Sequence, residues 1–225
     1  MTVTAIVPVP AGLAERPEAV VAAVAGLSPL ARIVRTLAKR CDVVVATAAA
    51  VADPVHEALA AQEFSSVRKV VATAPGERAQ CVEAGLRGLV DGDAVVVHHI
   101  DWPLVGIGTL DRVIAALSDG AVAVMPATQV TDSVKTLRTD GSLSATLDRS
   151  RLRAVQYPRG FSARALASLV KSAGSSPFDE LEVVLSTGTP LNLIEGDEEA
   201  LRVELPTEAG YLAAVIQGSH DRAGR

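Results

Sequence analysis

At 225 residues, with a formal net charge of -5 and an apolar fraction of 49%, the sequence describes a globular chain with ample material for a hydrophobic core. The negative charge argues against a nucleic-acid surface as its main function, although a nucleotide would need only a local positive pocket. No apolar run approaches the roughly 18 residues of a membrane span, so neither nucleic acid nor a membrane is an expected partner.

The first half of the chain alternates apolar strands with amphipathic helices. Strands are predicted at 2–10, 41–47, 67–72, 121–126 and at the start of 94–105. Helices are predicted at 18–25, 29–39, 54–62, 79–89 and 109–117. Strand followed by helix, repeated, predicts a mostly parallel sheet with helices on both faces.

The stretch 94–105, AVVVHHIDWPLV, is the one in which we expect a functional site. Its valines show no polar alternation, which is typical of a strand buried on both faces of a parallel sheet. The strand runs into the densest polar cluster of the chain, which contains His98, His99, Asp101 and Trp102. Ligands of open α/β sheets bind outside the carboxyl ends of the strands, so this end is predicted to carry the site.

In the second half, Asp140-Gly141 lies between two strand-like runs, which is a strong hairpin signal. The runs are polar, so the hairpin is predicted to leave the main sheet, and a two-stranded ribbon alone is marginally stable. We therefore expect 132–157 to form an arm that exchanges between the subunits of a homodimer. Helices at 163–173, 179–185 and 206–217 and strands at 190–195 and 201–205 are predicted to complete a single domain over 1–225.

Two features predict a cytoplasmic protein. The N-terminus MTVTAIVPVP has no basic residue before its apolar run, so no secretory signal is expected. Cys41 and Cys81 do not make a disulfide framework or a zinc site, and both are predicted to be reduced thiols.

The order of short motifs along the chain resembles that of one family. The motifs are AIVP, PGERAQCVEAGL, VVVHHIDWP, TDSVK, LDRSRLRAVQYPRGF, FDELEVV and IEGDEEALRVE. In this order they are similar to the methylerythritol phosphate cytidylyltransferases of the non-mevalonate isoprenoid pathway. The resemblance implies a Rossmann-like three-layer α/β/α nucleotidyltransferase fold with a protruding β-arm, and a homodimer. It also implies Mg²⁺-dependent transfer of a cytidylyl group from CTP to 2-C-methyl-D-erythritol 4-phosphate, with release of pyrophosphate.

The resemblance also implies roles for individual residues. Those expected to bind the nucleotide are Gly12, Gly76, Arg78, Cys81, His99, Asp132 and Lys135. Those expected to act in catalysis, by holding the triphosphate or by orienting an anionic acceptor, are Arg16, Arg149 (on the partner's arm) and Arg202. Those expected to hold Mg²⁺ are Asp101 and Asp179.

The chain departs from the family's pattern where phosphates would bind. The family's loop PAAGxGxR is followed by Pro-Lys, whereas here the loop after the first strand keeps one glycine, Gly12, and the Pro-Lys is absent. Pro10 has no N–H to offer a phosphate. His99 stands where the family has its metal-binding aspartate, and Trp102 where it has an arginine. Asp101, on the same face of an extended chain as His99, is expected to supply the carboxylate instead.

Further departures leave two functional hypotheses open. The family's Thr-Pro-Gln is Tyr157-Pro158-Arg159 here, and the lysine of its last strand is Arg202, which keeps the charge. The first hypothesis is a divergent nucleotidyltransferase that uses CTP or another nucleoside triphosphate and a sugar phosphate. The second is a non-catalytic homologue that keeps the fold and the dimer and acts by binding or regulation.

Overall fold

A computed structural model of the protein describes residues 2–64, 67–174 and 177–223. Its strands are β1 (Val3–Val9), β2 (Asp42–Thr47), β3 (Arg68–Val71), β4 (Ala94–Val97), β5 (Ala123–Gln129), β6 (Lys135–Leu137), β7 (Leu143–Thr146), β8 (Arg153–Val155), β9 (Arg159–Ser162) and β10 (Leu191–Glu195). Its α-helices are α1 (Glu18–Val21), α2 (Pro29–Leu37), α3 (Ala52–Ala61), α4 (Arg78–Leu86), α5 (Ile107–Ser118), α6 (Ala163–Ala173), α7 (Glu180–Thr187) and α8 (Ala209–Ala223).

One mixed sheet organises the fold, with the strand order β10-β5-β9-β4-β1-β2-β3 and with β8 paired to β5. Strands β1 to β4 pair in parallel, as do β5 and β10. Strand β9 lies antiparallel between β4 and β5. The predicted α/β sheet with flanking helices is therefore confirmed, but β8 and β9 are missing from the sequence-based prediction. Both are short, and β9 contains a glycine, so neither shows an apolar periodicity of its own.

The two faces of the sheet carry separate apolar clusters. In β4, Ala94 and Val96 belong to one cluster, and Val95 and Val97 belong to the other. Side chains of α2, α3 and α5 complete the first cluster, and side chains of α4, α6 and α7 complete the second. Because both faces of β4 are buried, the strand carries no polar alternation, as its sequence predicts.

Local capping explains how well the helix ends follow the sequence. Helix α6 coincides with its predicted range, and the Ser162 hydroxyl accepts a hydrogen bond from the Ala165 N–H (3.3 Å) at its start. Helix α1 ends earlier than predicted, because Ala22 already takes an extended conformation with φ -67° and ψ 137°. The chain then turns back at Ala25 and Gly26, where φ is 49° and 85°. Within the described residues, no helix combines the length and the apolar character that crossing a membrane requires.

The predicted strand at 201–205 is wrong, since these residues form no strand in the structure. Val203 and Leu205 are buried, but they pack with Leu212 and Ile216 of α8 in a third apolar cluster. Their alternation therefore reflects packing against a helix, not pairing with a strand. The helix predicted to begin at 206 begins at Ala209.

The predicted hairpin at Asp140-Gly141 is confirmed. Strands β6 and β7 pair antiparallel in a two-stranded sheet of their own, outside the main sheet. Gly141 takes a φ of 82°, and the Ser142 N–H donates to Asp140 Oδ1 (2.8 Å) in the turn. Leu137 and Leu143 are 65% and 64% exposed, so the arm presents apolar side chains to its surroundings.

Gly160 of β9 lies under α5, which yields a test of this packing. In Gly160→Val, a Cβ would lie 2.5 Å from Val113 Cγ1 and 2.9 Å from Leu117 Cδ1. Overpacking of this kind is expected to lower the free energy of unfolding by about 1–3 kcal/mol, measured by urea denaturation. Gly210→Ala in α8 is the control, because an added Cβ there meets nothing within 4 Å. Equal stability of the two variants would contradict the packing described.

Candidate functional site

The loops after β1 and β4 lie side by side at the carboxyl edge of the sheet. The two strands are parallel neighbours, with Ile6 opposite Val97. The His98 N–H donates to the Ile6 carbonyl (3.0 Å) and extends this pairing by one residue. The polar residues that follow β4 are thereby brought against the loop that follows β1, which is the edge where ligands of such sheets bind.

Several backbone N–H groups of the loop after β1 donate hydrogen bonds to carbonyls of the chain itself. The N–H of Ala11 donates to the Gly76 carbonyl (2.9 Å). The N–H groups of Leu13, Ala14 and Arg16 donate to the carbonyls of Pro10, Ala11 and Leu13, respectively. These amides are therefore engaged within the chain, and Pro10 has none to offer. Gly12 lies in this short turn, where an added Cβ would meet nothing within 4 Å.

Gly76 and Cys81 contact the end of β1 and the loop that follows it. Gly76 has a φ of 80°, and an added Cβ would lie 2.7 Å from Ala48 Cβ, so the turn requires glycine. The Cys81 thiol is buried and donates weakly towards the carbonyls of Gly76 (3.6 Å) and Val9 (3.8 Å). Burial raises the pKa of Cys81 to about 11. Both residues, predicted to contact a nucleotide, are placed by the structure in the support of the loop.

The buried side chain of His98 holds the loop after β4 through a hydrogen bond. Its side chain is fully buried, and Nε2 donates to the Trp102 carbonyl (2.8 Å). Within the described part of the chain, Nδ1 is buried and accepts no hydrogen bond. Burial lowers the pKa of His98 to about 4, so the ring is neutral at physiological pH. A neutral ring with its proton on Nε2 fits this contact.

A buried network, made of Arg78, Tyr157, Arg159 and Glu180, lies next to the histidines. The Glu180 carboxylate is fully buried and accepts hydrogen bonds from Arg78 Nε (2.9 Å), Arg159 Nη1 (2.9 Å) and Tyr157 Oη (3.0 Å). Arg159 stacks over the Tyr157 ring at 4.2 Å from its centroid, and His99 lies 5.5 Å from the same ring. The charge of Arg78, which was expected to act on a triphosphate, is thus shared with Glu180.

Asp101 lies between His99 and Arg202. Its Oδ2 is 3.5 Å from Arg202 Nη2, and its N–H donates to His99 Nδ1 (3.1 Å). Burial raises the pKa of Asp101, against the charges of Arg202 and Arg16, which lower it. Burial, with the charge of Arg78, lowers the pKa of His99 to about 3. Arg16 is anchored by a bond from Nη1 to the Leu205 carbonyl (3.3 Å).

Asp179, the other residue expected to hold Mg²⁺, begins helix α7. Its Oδ1 accepts hydrogen bonds from the N–H groups of Leu181 (2.8 Å) and Glu182 (3.2 Å). Arg159 Nη1 lies 3.1 Å from its Oδ2. Burial raises the pKa of Asp179, but Arg159 and the amides of α7 outweigh burial and hold it below its usual value.

These carboxylates do not fit a resident Mg²⁺ ion. Asp101 and Asp179 each face an arginine, and the residues described contain no group of three or more His, Cys, Asp or Glu side chains able to hold a metal. Mg²⁺ requires oxygen ligands in near-octahedral geometry, whereas Arg159 and two backbone N–H groups already contact the Asp179 carboxylate, and Arg202 lies 3.5 Å from Asp101.

The arm residues lie in a different part of the chain. Arg149 Nη1 donates to the Thr131 carbonyl, Lys135 Nζ donates to Thr146 Oγ1 (2.7 Å), and Asp132 is exposed. Among the described residues, no hydrogen bond or ion pair joins these three to the Arg78 network or to Asp101. Within one chain, the structure does not bring them together with the rest of the predicted site.

A cleft of about 940 Å³ opens beside Asp101. Trp102 and Arg202 line it at this end, and Arg153, Gln129 and Glu195 line it farther along. Its size is in the range of small-molecule sites. Trp102, in the position where the family has an arginine, therefore forms an aromatic wall of the cleft.

Tyr157, Arg159 and Glu180 are the residues that sequence reasoning missed as members of the site. The replacement of Thr-Pro-Gln by Tyr157-Pro158-Arg159 was the available signal. Two large polar side chains introduced together, with a retained acidic pair at 179–180, indicate a new buried pairing. Their shared partner, 21 residues from Arg159 in the sequence, is visible only in the structure.

Comparison with known proteins gives a consistent result. Residues 3–217 match the model of the family described as 2-C-methyl-D-erythritol 4-phosphate cytidylyltransferase. A protein of that name from Saccharopolyspora erythraea is 34% identical over 227 residues, which is 96% of this chain and 100% of that protein. Another from Streptomyces avermitilis is 35% identical over 154 residues, which is 65% of this chain and 62%, less than two thirds, of that protein.

A solved structure supports the same fold. The crystal structure of 2-C-methyl-D-erythritol 4-phosphate cytidylyltransferase from Thermus thermophilus is similar over 96% of this chain and 100% of that one. The TM-score is 0.76 and the sequence identity is 22%. At this identity the likeness concerns the fold alone, and it confirms the predicted nucleotidyltransferase architecture.

Glu180→Gln is expected to lower the free energy of unfolding by about 3–5 kcal/mol, because it leaves Arg78 and Arg159 without their shared buried charge. Urea denaturation measures the loss. Glu182→Gln, an exposed position in the same turn of α7, is the matched control and should change stability by less than about 0.5 kcal/mol. A Glu180 variant as stable as this control would contradict the network.

The free energy of unfolding is expected to decrease as the pH is lowered, because of His98. Its pKa is about 4 in the folded protein and 6.5 in the reference state, so between these values only the unfolded chain binds the proton. The contribution, of the order of 3 kcal/mol, is complete above about pH 6.5 and is lost as the pH falls to about 4. Urea denaturation across this window should show a shallower pH dependence for His98→Gln. An imidazole signal of His98 that titrates near pH 6.5 in NMR would contradict the assignment.

Proposed function

The chain belongs to the 2-C-methyl-D-erythritol 4-phosphate cytidylyltransferase family, and on that premise we propose that it transfers the cytidylyl group of CTP to a sugar-alcohol phosphate. The acceptor we propose is 2-C-methyl-D-erythritol 4-phosphate, and the second product is pyrophosphate. The observation that carries the proposal is the position of Arg202, 3.5 Å from Asp101, at a cleft of about 940 Å³; the charge of Arg16 also acts on Asp101. These cations suit a reaction between two phosphate-bearing molecules.

The reaction is an in-line displacement at phosphorus. A phosphate oxygen of the acceptor attacks the α-phosphorus of CTP, and the bond to the leaving pyrophosphate oxygen breaks. Catalysis of this kind relies on positioning and on neutralising the phosphate charges, without a covalent enzyme intermediate. We assign Arg16 to the triphosphate and Arg202 to the acceptor phosphate. Arg78, whose charge is shared with Glu180, is a positioning residue in this scheme.

A homodimer is part of the proposal. Leu137, Leu143 and Leu147 of the arm are 65%, 64% and 40% exposed in the single chain. Exposed apolar side chains of this kind mark interaction surfaces, so we propose that a second subunit buries them. In a dimer that exchanges arms, Arg149 would reach the acceptor site of the other subunit.

A second function, binding without transfer, is favoured by the loop after β1. The amides of Ala11, Leu13, Ala14 and Arg16 donate to carbonyls of the chain. A triphosphate bound at this loop would find fewer free amides than a glycine-rich loop offers. A regulatory or partner-binding role would need the fold but not a loop that binds a triphosphate.

The transferase function predicts pyrophosphate release from CTP and 2-C-methyl-D-erythritol 4-phosphate, measured with a coupled pyrophosphatase assay. Arg202→Gln should lower kcat/KM for the acceptor by roughly tenfold or more, because a charged hydrogen bond to phosphate is lost. Arg40→Gln is the control, since Arg40 pairs with Asp111 (2.7 Å) just before β2, at the other edge of the sheet. Stabilisation by CTP in a thermal-shift assay without pyrophosphate release would favour the binding function. The absence of both would contradict the transferase function and leave a regulatory or partner-binding role.

The homodimer predicts a mass of two chains in light scattering after size exclusion. Leu137→Glu with Leu143→Glu should shift the protein to a monomer, because charged side chains oppose burial at an apolar interface. Val90→Glu, another apolar position with 67% exposure, is the control and should leave the mass unchanged. A wild-type protein that is monomeric at micromolar concentration would contradict the proposal.

A further inference from the structure

The residues around Asp101 suggest how this chain holds phosphate. We infer that Arg16, His99 and Arg202 form a phosphate-binding cluster that works without a divalent cation, and that Asp101 is the counter-ion of its arginines. The inference rests on the proposed function, since it names how the same edge of the sheet recognises its phosphate-bearing ligands.

The pairing of Asp101 is that of an exchangeable counter-ion. Arg202 is 73% exposed in its side chain and stands 3.5 Å from Asp101 Oδ2, which is a loose and solvated ion pair. A phosphate offers more charge and more oxygens to a guanidinium than one carboxylate oxygen at this distance. Arg16, whose Nη1 donates to the Leu205 carbonyl, also acts on Asp101 through its charge. A bound phosphate would therefore replace Asp101 as the anion paired with Arg202, and it would bind the guanidinium more strongly.

His99 contributes a donor and no metal-binding lone pair. The N–H of Asp101 donates to His99 Nδ1 (3.1 Å), so the proton of the neutral ring is on Nε2. In that tautomer, Nδ1 is occupied and Nε2 carries hydrogen. The ring can donate to a phosphate oxygen, but neither nitrogen is open to a metal ion. The side chain is 31% exposed, so a ligand can reach it.

The other carboxylates at this edge are also committed. Glu180 is fully buried and accepts hydrogen bonds from Arg78, Arg159 and Tyr157. Asp179 pairs with Arg159 and caps α7. Mg²⁺ would thus find Asp101 with the Arg202 guanidinium 3.5 Å away, and the exposed Glu204, whose charge also acts on Asp101. The donor set suits an anion and opposes a dication.

Whether Asp101→Asn strengthens or weakens phosphate binding distinguishes a counter-ion from a metal ligand. Titration calorimetry would use CTP, inorganic pyrophosphate and 2-C-methyl-D-erythritol 4-phosphate as separate probes, each in Mg²⁺ and in EDTA. For the wild type, we expect the Kd of at least one probe to agree within about twofold between the two buffers. Asp101→Asn should tighten binding by roughly fivefold, because the competing anion is gone. A metal ligand would show the opposite, weaker binding in Mg²⁺.

Two further variants sharpen the test. His99→Asp places a second carboxylate beside Asp101, so binding should weaken by roughly tenfold in EDTA and recover in Mg²⁺. His99→Gln keeps an uncharged N–H donor and should stay independent of Mg²⁺. Asp111→Asn, which removes the partner of Arg40, is the matched control and should leave every Kd unchanged.

The outcomes distinguish this inference from the proposed function. CTP binding that requires Mg²⁺ and weakens in Asp101→Asn would overturn the inference and leave the transferase standing. Metal-independent binding of pyrophosphate or sugar phosphate without any binding of CTP would support the cluster and remove the transferase. Failure of the folded wild type to bind any of the three probes at millimolar concentration would overturn the inference.

Discussion

The buried carboxylate of Glu180 is the interaction on which the functional edge of this protein depends. A charge without solvent exposure is costly to leave unpaired, so its donors are held in one arrangement. Arg78 comes from the start of α4, Arg159 from β9 and Tyr157 from the segment before β9, while Glu180 itself begins α7. One carboxylate thus fixes the relative positions of these elements on one face of the sheet.

That arrangement decides how much positive charge remains for a ligand. Arg78 and Arg159 are neutralised by Glu180 and Asp179 and are nearly buried. Arg202 is 73% exposed and lies 3.5 Å from Asp101, and the charge of Arg16 also acts on Asp101. The more exposed positive charge therefore lies at the outer part of the edge, beside the cleft lined by Trp102 and Arg202.

The loop that carries Asp101 is shaped before any ligand arrives. His98 Nε2 holds the Trp102 carbonyl from below, and the Val203 N–H donates to the Asp101 carbonyl (2.8 Å) from the side. The Asp101 N–H in turn sets the tautomer of His99. Such backbone contacts preorganise donors around one point, which lowers the entropic cost of holding an anion there.

The sequence alone determined the layers of the fold, the hairpin arm and the family. These features depend on local signals, such as the unalternating valines of β4, the Ser162 cap of α6 and the Asp140-Gly141 turn. Only the tertiary structure decided the insertion of β9 between β4 and β5, and the pairing of Arg78 with Glu180, which are 102 residues apart. A charged residue shows no local sign of which distant charge it will meet, so the state of the site's arginines had to come from packing.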